Sequence, residues 1–506
     1  MNTRTAQTPA RTPARTPARP PEADAFPPPL TVDGALDRIA RGLGGSGTVL
    51  VAVDDDPTGA QTVRDVPLVT RWEVADLEWG LRAADRGLLF VLTNSRAMDE
   101  SAARRTAREV ATALAEASRR TGIRVLLLSR SDSTLRGHYP AETDALADAW
   151  RAETGEALDA VVLCPAYLEA GRATVDGVHL VRVGDAWVPA GRTEFARDAT
   201  FGYRADDLSG WVAERSGGAV RAADVLTVDL RTIRTEGVRG VRALVERHVG
   251  AAVASAPPVV ALDAADQHDL EVAALALAEL EEEGRRFLYR TGPTFVRVRA
   301  GMPPAEPVRP AGAPTAEAVE GSAASGVLVV VGSHTELTTR QVAALEAGRP
   351  LLRLTLDVPA LLDAPGPVVA DVAARAVAGL AEGDVLVQTS RALRRGLDGA
   401  DSLRIAREVS DAVVETVRRV LRDRAPRAVV AKGGITSHEV AVKGLGVRRA
   451  RVLGSVLPGQ VSLLQPVDAE GEPDGPPYTV FPGNVGDDQS LLTVVRRLTA
   501  ETETGE

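Results

Sequence analysis

From about residue 47 onward, short apolar runs alternate with amphipathic stretches. The runs at 48–54, 88–93, 124–129, 160–164, 225–229 and 258–262 have the length and β-branched content of buried strands. Between them, Ser101–Arg120, Ala141–Arg151 and Leu270–Glu283 repeat apolar positions at helical spacing and predict helices. Strand and helix in alternation predict a mostly parallel sheet with helices on its faces. Residues 165–210 break the rhythm with glycines, a Val-rich segment and paired acids, which predicts an inserted hairpin and loop.

A stretch at 301–325, rich in Gly, Pro, Ala and Glu, carries no period and reads as a linker. Beyond it, runs at 327–331, 351–356, 385–387 and 428–431 restart the strand rhythm, with a helix predicted over Ile405–Arg424. The chain thus divides into a tail at 1–29, a first domain at 30–300, the linker at 301–325 and a second domain at 326–500. The expected fold class is α/β: two domains, each with a mostly parallel sheet flanked by helices, and a ligand cleft between them. The tail consists of Thr-Pro-Ala units joined by Arg and of further prolines up to Pro29. It cannot bury a core and is expected to be disordered.

Composition then removes several function classes. A net charge of -10 argues against non-specific binding to nucleic acid or to an anionic membrane, and 3% aromatic residues leave little for base stacking. No run approaches the roughly 20 apolar residues of a membrane span. Nucleic acid and membrane are therefore not expected partners, and a cytoplasmic location is expected. The single cysteine, Cys164, excludes an internal disulfide and a cysteine-based zinc cluster. The six histidines show no zinc-type spacing, and no metal-ligand set is visible. A homodimer is carried forward as an expectation.

The chemistry gathers where apolar runs end. Val125–Leu128 leads into Asp132-Ser133-Thr134-Leu135-Arg136-Gly137, and Val49–Val53 leads into Asp54-Asp55-Asp56-Pro57-Thr58-Gly59. Polar groups leaving the carboxyl ends of buried strands emerge in the crevice where open α/β sheets bind ligands, here a small, oxygen-rich anion. Three consecutive carboxylates repel one another, so a cation, a hydroxyl donor or solvent must offset them. In the second half, Gly332–Thr338, Lys432–Ser437 and Pro482–Asp488 place glycines and hydroxyls after further apolar runs. Glycines there allow close backbone approach, and helix-start N–H groups suit phosphate, which points to a nucleotide pocket.

Gly42–Gly47 matches a GxGxxG pattern but precedes a strand, so it reads as a flexible turn. A Walker A loop is absent, since Lys432 and Lys443 are the only lysines and neither has that context. Acids and arginines in one domain, with phosphate-type loops in the other, point to phosphoryl transfer across a cleft.

These residues resemble a family. Asp55–Gly59 is similar to its Asp-Asp-x-Thr-Gly motif, Asp132–Gly137 to its Asp-Ser-Thr-Leu-Arg-Gly motif, and Gly171–Thr174 to its Gly-Arg-x-Thr segment. Gly332-Ser333, Gly433–Thr436 and Gly483–Gly486 follow in the same order. The family is that of the four-carbon acid sugar kinases, and the resemblance spans about residues 47–498. It implies an ATP-dependent kinase acting on a hydroxyl of threonate, erythronate or 3-oxo-tetronate. An N-terminal substrate domain and a C-terminal nucleotide domain would close over the acid. Carried over by motif, Ser333, Gly433, Gly434, Ile435, Thr436 and Gly483 would contact ATP.

Arg136 and Arg172, with Arg130, are expected to pair with the substrate carboxylate, which a guanidinium fork matches. Asp132, Ser133 and Thr58 would read hydroxyls. Asp56 is taken as general base, with Asp55 orienting substrate or magnesium; Asp55 and Asp132 stay open as alternative bases. Mg2+ is expected from the need to neutralise triphosphate charge. Pro57 and Val485 depart from the family's usual residues and leave the particular acid open. A non-catalytic acid-sugar and nucleotide sensor is the alternative. A dehydrogenase or aldolase would need a nicotinamide fingerprint or a Schiff-base lysine, and the first domain offers neither.

Overall fold

The computed structural model describes residues 20–251, 257–304, 306–308, 326–391, 399–457, 459–483 and 485–499. The first half contributes β1 (Thr48–Asp54), β2 (Val66–Val69), β3 (Leu88–Leu92), β4 (Arg124–Arg130), β5 (Ala160–Cys164), β6 (Arg172–Val175), β7 (Val178–Val183), β8 (Ala186–Pro189), β9 (Leu226–Val228), β10 (Val259–Leu262) and β11 (Phe287–Thr291). The second contributes β12 (Leu328–Val331), β13 (Leu351–Leu356), β14 (Asp384–Thr389), β15 (Val429–Lys432), β16 (Arg449–Leu457), β17 (Val461–Val467) and β18 (Tyr478–Phe481).

Parallel pairing orders the first half β2-β3-β1-β4-β11-β5-β10-β9 and the second β13-β14-β12-β15-β18. β1, β3, β5, β12 and β15 are buried along their whole length, as strands covered by helices on both faces must be. The predicted hairpin insertion is the separate sheet β6-β7-β8.

The two parallel sheets are continuous with one another. β16 and β17 form an antiparallel ribbon that pairs with β18 on one side and with β2 on the other, making one 15-stranded sheet. At this seam Asp76, fully buried in the helix Val74–Arg82, accepts from Arg448 Nη2 at 2.7 Å and Arg449 Nε at 2.8 Å.

Three expectations need correction. Gly42–Gly45 is not a flexible turn but the last turn of the helix Ala35–Gly45, whose apolar face buries Ile39 and Leu43; only Gly47, at φ 59°, turns the chain. The tail does not extend to residue 29. Arg234, paired with Asp269 through two bonds of 2.8 Å, donates to the carbonyls of Ala23 and Pro27 and fixes that stretch against the domain. The linker does not run free from 301, because Val308 N–H donates to Ser455 O at 2.7 Å and its side chain is buried over Gly454. Residues 1–19 and 309–325 of the tail and linker lie outside the described residues.

Candidate active site

The carboxyl ends of β1, β3, β4 and β11 carry one continuous polar network. Parallel register sets Asp54 of β1 beside Arg130 of β4 and Leu92 of β3, so residues following β3 emerge against the Asp54–Asp56 turn. Arg96, just beyond β3, donates from Nε to Asp55 Oδ2 at 3.2 Å and from Nη1 to Asp56 Oδ2 at 2.9 Å. Buried Arg130 donates to Asp54 Oδ1 at 2.8 Å. Two guanidinium groups thus offset the charge of the three-acid run.

Close approach makes Gly59 obligatory, since a Cβ there would lie 1.6 Å from Asp54 Oδ2. Asp56 is further held by the backbone N–H of Thr58 at 2.8 Å and by the Thr58 hydroxyl. Burial alone would raise the Asp56 carboxyl, but Arg96, Arg130 and the Thr58 bonds outweigh it and leave it below its ordinary value. Burial pushes Asp54 up to about 7 against the pull of Arg130.

The loop after β4 closes the other side. Asp132 Oδ2 accepts from Arg136 Nε at 2.7 Å and from the Thr134 hydroxyl. Burial opposes its ionisation, yet Arg96 and Arg136 hold the carboxyl well below the usual range. Ser133 is buried and passes its carbonyl to His179 Nε2 at 2.7 Å, so the β6–β7 hairpin braces this loop. Arg172 opens β6 with its guanidinium 6.0 Å from the Tyr167 ring centre. Every sequence-predicted residue of the first cluster, Asp55, Asp56, Thr58, Arg130, Asp132, Ser133, Arg136 and Arg172, therefore borders one cup.

Three members of the cup were missed. Arg96 and Arg290 come from segments with no local motif, and parallel register alone brings them in. Glu142, in the first turn of the helix Ala141–Thr154, accepts from the Ser95 hydroxyl, and burial with the charge of Asp55 pushes it up to about 7.

The second cluster forms where β12, β15 and β18 end. A Cβ on Gly332 would lie 2.0 Å from Thr436 Oγ1, and one on Gly483 would lie 2.8 Å from Ser333 Oγ. Gly433 adopts φ 119°, facing Ser333, while no atom lies within 4 Å of a Cβ built on Gly434. Thr338 and Thr335 hydroxyls donate to Gly483 O at 3.1 and 3.0 Å, tying the first loop to the third. Ile435 lies in the helix Gly434–Glu439. Ser333, Gly433, Gly434, Thr436 and Gly483 thus line a small-residue cradle, underlain by Lys432, whose Nζ donates to Pro482 O at 2.9 Å. Arg391, past the end of β14, donates to Ser333 O and, at 2.6 Å, to the Thr339 hydroxyl, a cation that sequence reading did not find.

Both clusters lie at carboxyl ends of strands of one continuous sheet. Burial lowers the proton affinity of His438, on the cradle helix. The Tyr167 hydroxyl donates to Gly459 O at the tip of the β16–β17 ribbon. A cavity of about 350 Å³ opens at the opposite, amino ends of β1 and β4, bordered by Arg124, Arg285 and Arg299; it holds none of the predicted site residues. Among the described residues, no group of three or more His, Cys, Asp or Glu is arranged to hold a metal ion, and no helix is long and apolar enough to cross a membrane.

Fold and site define a two-part α/β protein with an acid-and-arginine cup in one half and a small-residue cradle in the other. Residues 50–299 match the family model of a sugar-binding N-terminal domain, and residues 328–491 that of a nucleotide-binding C-terminal domain. The chain belongs to the four-carbon acid sugar kinase family. It is 30% identical over 445 residues to a 3-oxo-tetronate kinase of Methylobacterium radiotolerans, covering 86% of this chain and 96% of that one. It is also 30% identical over 276 residues, 54% of either chain, to a D-erythronate kinase of Heliobacterium modesticaldum. A Haemophilus influenzae protein of the family labelled DUF1537 shares the fold with a TM-score of 0.57 at 16% identity, covering 92% of this chain and 97% of that one.

Proposed function

We propose that this protein is an ATP-dependent kinase that phosphorylates a hydroxyl of a four-carbon sugar acid of the threonate, erythronate or 3-oxo-tetronate type. The observation that carries this reading is the presence, on one continuous sheet, of an acid-and-arginine cup at the ends of β1, β3 and β4 and a glycine-and-hydroxyl cradle at the ends of β12, β15 and β18. The small-residue cradle fits a nucleotide: Gly433 and Gly483 pack closely against Ser333, and nothing lies within 4 Å of a Cβ built on Gly434, which opens the helix Gly434–Glu439. Ser333, Gly433–Thr436 and Gly483 would hold ATP, which supplies the transferable phosphoryl group. Asp54, Asp55, Asp56 and Asp132 are each paired with a guanidinium, so these four do not form a cage for Mg2+. That suits a cation carried chiefly by the triphosphate.

Within the cup, Asp56 accepts the proton of the attacking hydroxyl. It is the most exposed of the three adjacent acids, and its lowered proton affinity keeps it ionised throughout the physiological range. Arg96 orients it together with Asp55, and Asp132, Ser133 and Thr58 meet the hydroxyls of the acid. Catalysis of this kind rests on positioning and on charge stabilisation.

Two measurements test this reading. An ADP-release screen over four-carbon aldonic and oxo acids is expected to find turnover with at least one. Stabilisation by acid and nucleotide without ADP release would favour the sensor instead. Asp56→Asn is expected to cut turnover by roughly 10²-fold or more while leaving the fold intact. Near-normal turnover would remove Asp56 from the role of base.

A further inference from the structure

The arginines around the cup fall into two groups. Arg96, Arg130 and Arg136 are each spent on an acid of the protein: Asp55 and Asp56, Asp54, and Asp132, respectively. Arg172 and Arg290 have no carboxylate in ion-pair contact among the described residues. Arg172 donates only to the backbone carbonyl of Ala170, and its Nε is buried without a partner. Arg290, 3% exposed, donates only to Arg136 O, at 3.4 Å, and sits 5.2 Å from the ring centres of both Tyr139 and Trp211.

A buried guanidinium with no anion in contact is costly, and aromatic faces recover only part of that cost. Burial accordingly lowers the proton affinity of both groups, despite the more distant charges of Asp55, Glu142 and Asp132 around Arg290. Gly137, which ends the Asp132–Gly137 loop, lies against the Arg290 guanidinium. A Cβ at that residue, whose φ is 115°, would lie 3.5 Å from Arg290 Nη2 and 3.0 Å from Asp55 Oδ2. Strand order adds direction. Arg290, the penultimate residue of β11, lies between β4 and β5, on the side of β1 away from the β16–β17 ribbon.

We propose that Arg290 is a specificity-determining residue that receives the substrate carboxylate together with Arg172, while Arg130 and Arg136 serve to hold the acids of the cup. This rests on the sugar-acid reading above and moves the carboxylate contact away from the arginines that the motif alone singles out. The Tyr139 and Trp211 rings keep the guanidinium plane in place, so a planar carboxylate meets a fork already oriented for it.

Calorimetric binding separates this assignment from phosphoryl transfer. Wild type is expected to bind a four-carbon aldonate and to bind the matching uncharged tetritol far more weakly. Arg290→Gln should lose roughly 10²-fold in aldonate affinity, as truncation of a buried charge pair does, with ADP affinity and melting temperature close to wild type. Arg290→Lys, which retains charge and size, should lose roughly 10-fold because an ammonium cannot present the fork. If Arg290→Gln does not fold, the lysine variant carries the test.

Aldonate affinity within about threefold of wild type in the variant that carries the test would overturn the assignment, as would a parallel loss of ADP affinity. A wild-type protein that binds no four-carbon acid overturns both the sugar-acid reading and this inference. One that binds the acid but releases no ADP overturns transfer alone, and the Arg290 variants then decide the inference on binding.

Discussion

Lys432 is fully buried, 3.8 Å from the Phe481 ring centre, and burial drags its ammonium down to about 7. A lysine so lowered favours the neutral form in the fold. Its contribution to stability is therefore present above the ordinary lysine range and is lost as pH falls toward 7. A triphosphate on the cradle reverses the balance by favouring the charged form. At pH ~8 nucleotide binding should take up a fraction of a proton, read as a dependence of binding enthalpy on the ionisation enthalpy of the buffer. Lys432→Met should abolish that dependence, and a wild-type enthalpy indifferent to buffer would show that Lys432 does not sense the nucleotide. The same residue shows what a sequence withholds. Its position before Gly433 is plain, but only the pairing of β15 with β18 reveals that it is sealed beneath the cradle. Arg96 and Arg290 are similar, since each is a lone arginine at a strand end until register sets it beside the acids.

At the scale of elements, loops were legible and seams were not. The first acid loop and the Lys432–Ser437 loop follow strands buried along their whole length, and the second acid loop follows β4, buried over its last four residues; all three carry short apolar runs. β16 begins Arg449-Ala450-Arg451-Val452, whose alternating burial reads as polar sequence until Asp76 and Trp79 are seen to receive Arg449. β2 has only four residues and no flanking period. The stretch 20–29 was misjudged for a related reason: its anchor, the Arg234–Asp269 pair with both side chains fully buried, lies more than 200 residues downstream. That pair has a measurable consequence. Arg234→Met strands the Asp269 charge in the interior and should destabilise the protein by about 3–5 kcal/mol, whereas a double variant that also carries Asp269→Leu should recover much of the loss. Equal melting temperatures for wild type and Arg234→Met would show that the pair anchors nothing.

Across the whole molecule, the β16–β17 ribbon is the feature that joins the two halves, and on the proposed function it would make their clusters one site. Its edge continues the sheet into β2, and its tip reaches the cup, where the Tyr167 hydroxyl donates to Gly459 O and the Tyr167 ring faces Arg172. Gly459 fits for two reasons. It adopts φ 60°, and a Cβ there would lie 2.9 Å from Glu169 Cβ, which belongs to the same buried cluster as Arg297 and Thr294. A methyl group at this position strains the turn and lifts the tip from the cup without touching either ligand cluster directly. Phosphoryl transfer depends on holding acceptor and donor in line, so a small displacement between halves should cost rate rather than affinity. Gly459→Ala is therefore expected to bind aldonate and ADP singly with near wild-type affinity and yet to turn over roughly 10-fold more slowly. Tyr167→Phe, which removes the hydrogen bond without the clash, should show the same effect in weaker form. Wild-type turnover in both variants would mean that the tip contact is incidental, and a selective loss of aldonate binding would mean that Gly459 shapes the cup instead of aligning the two halves.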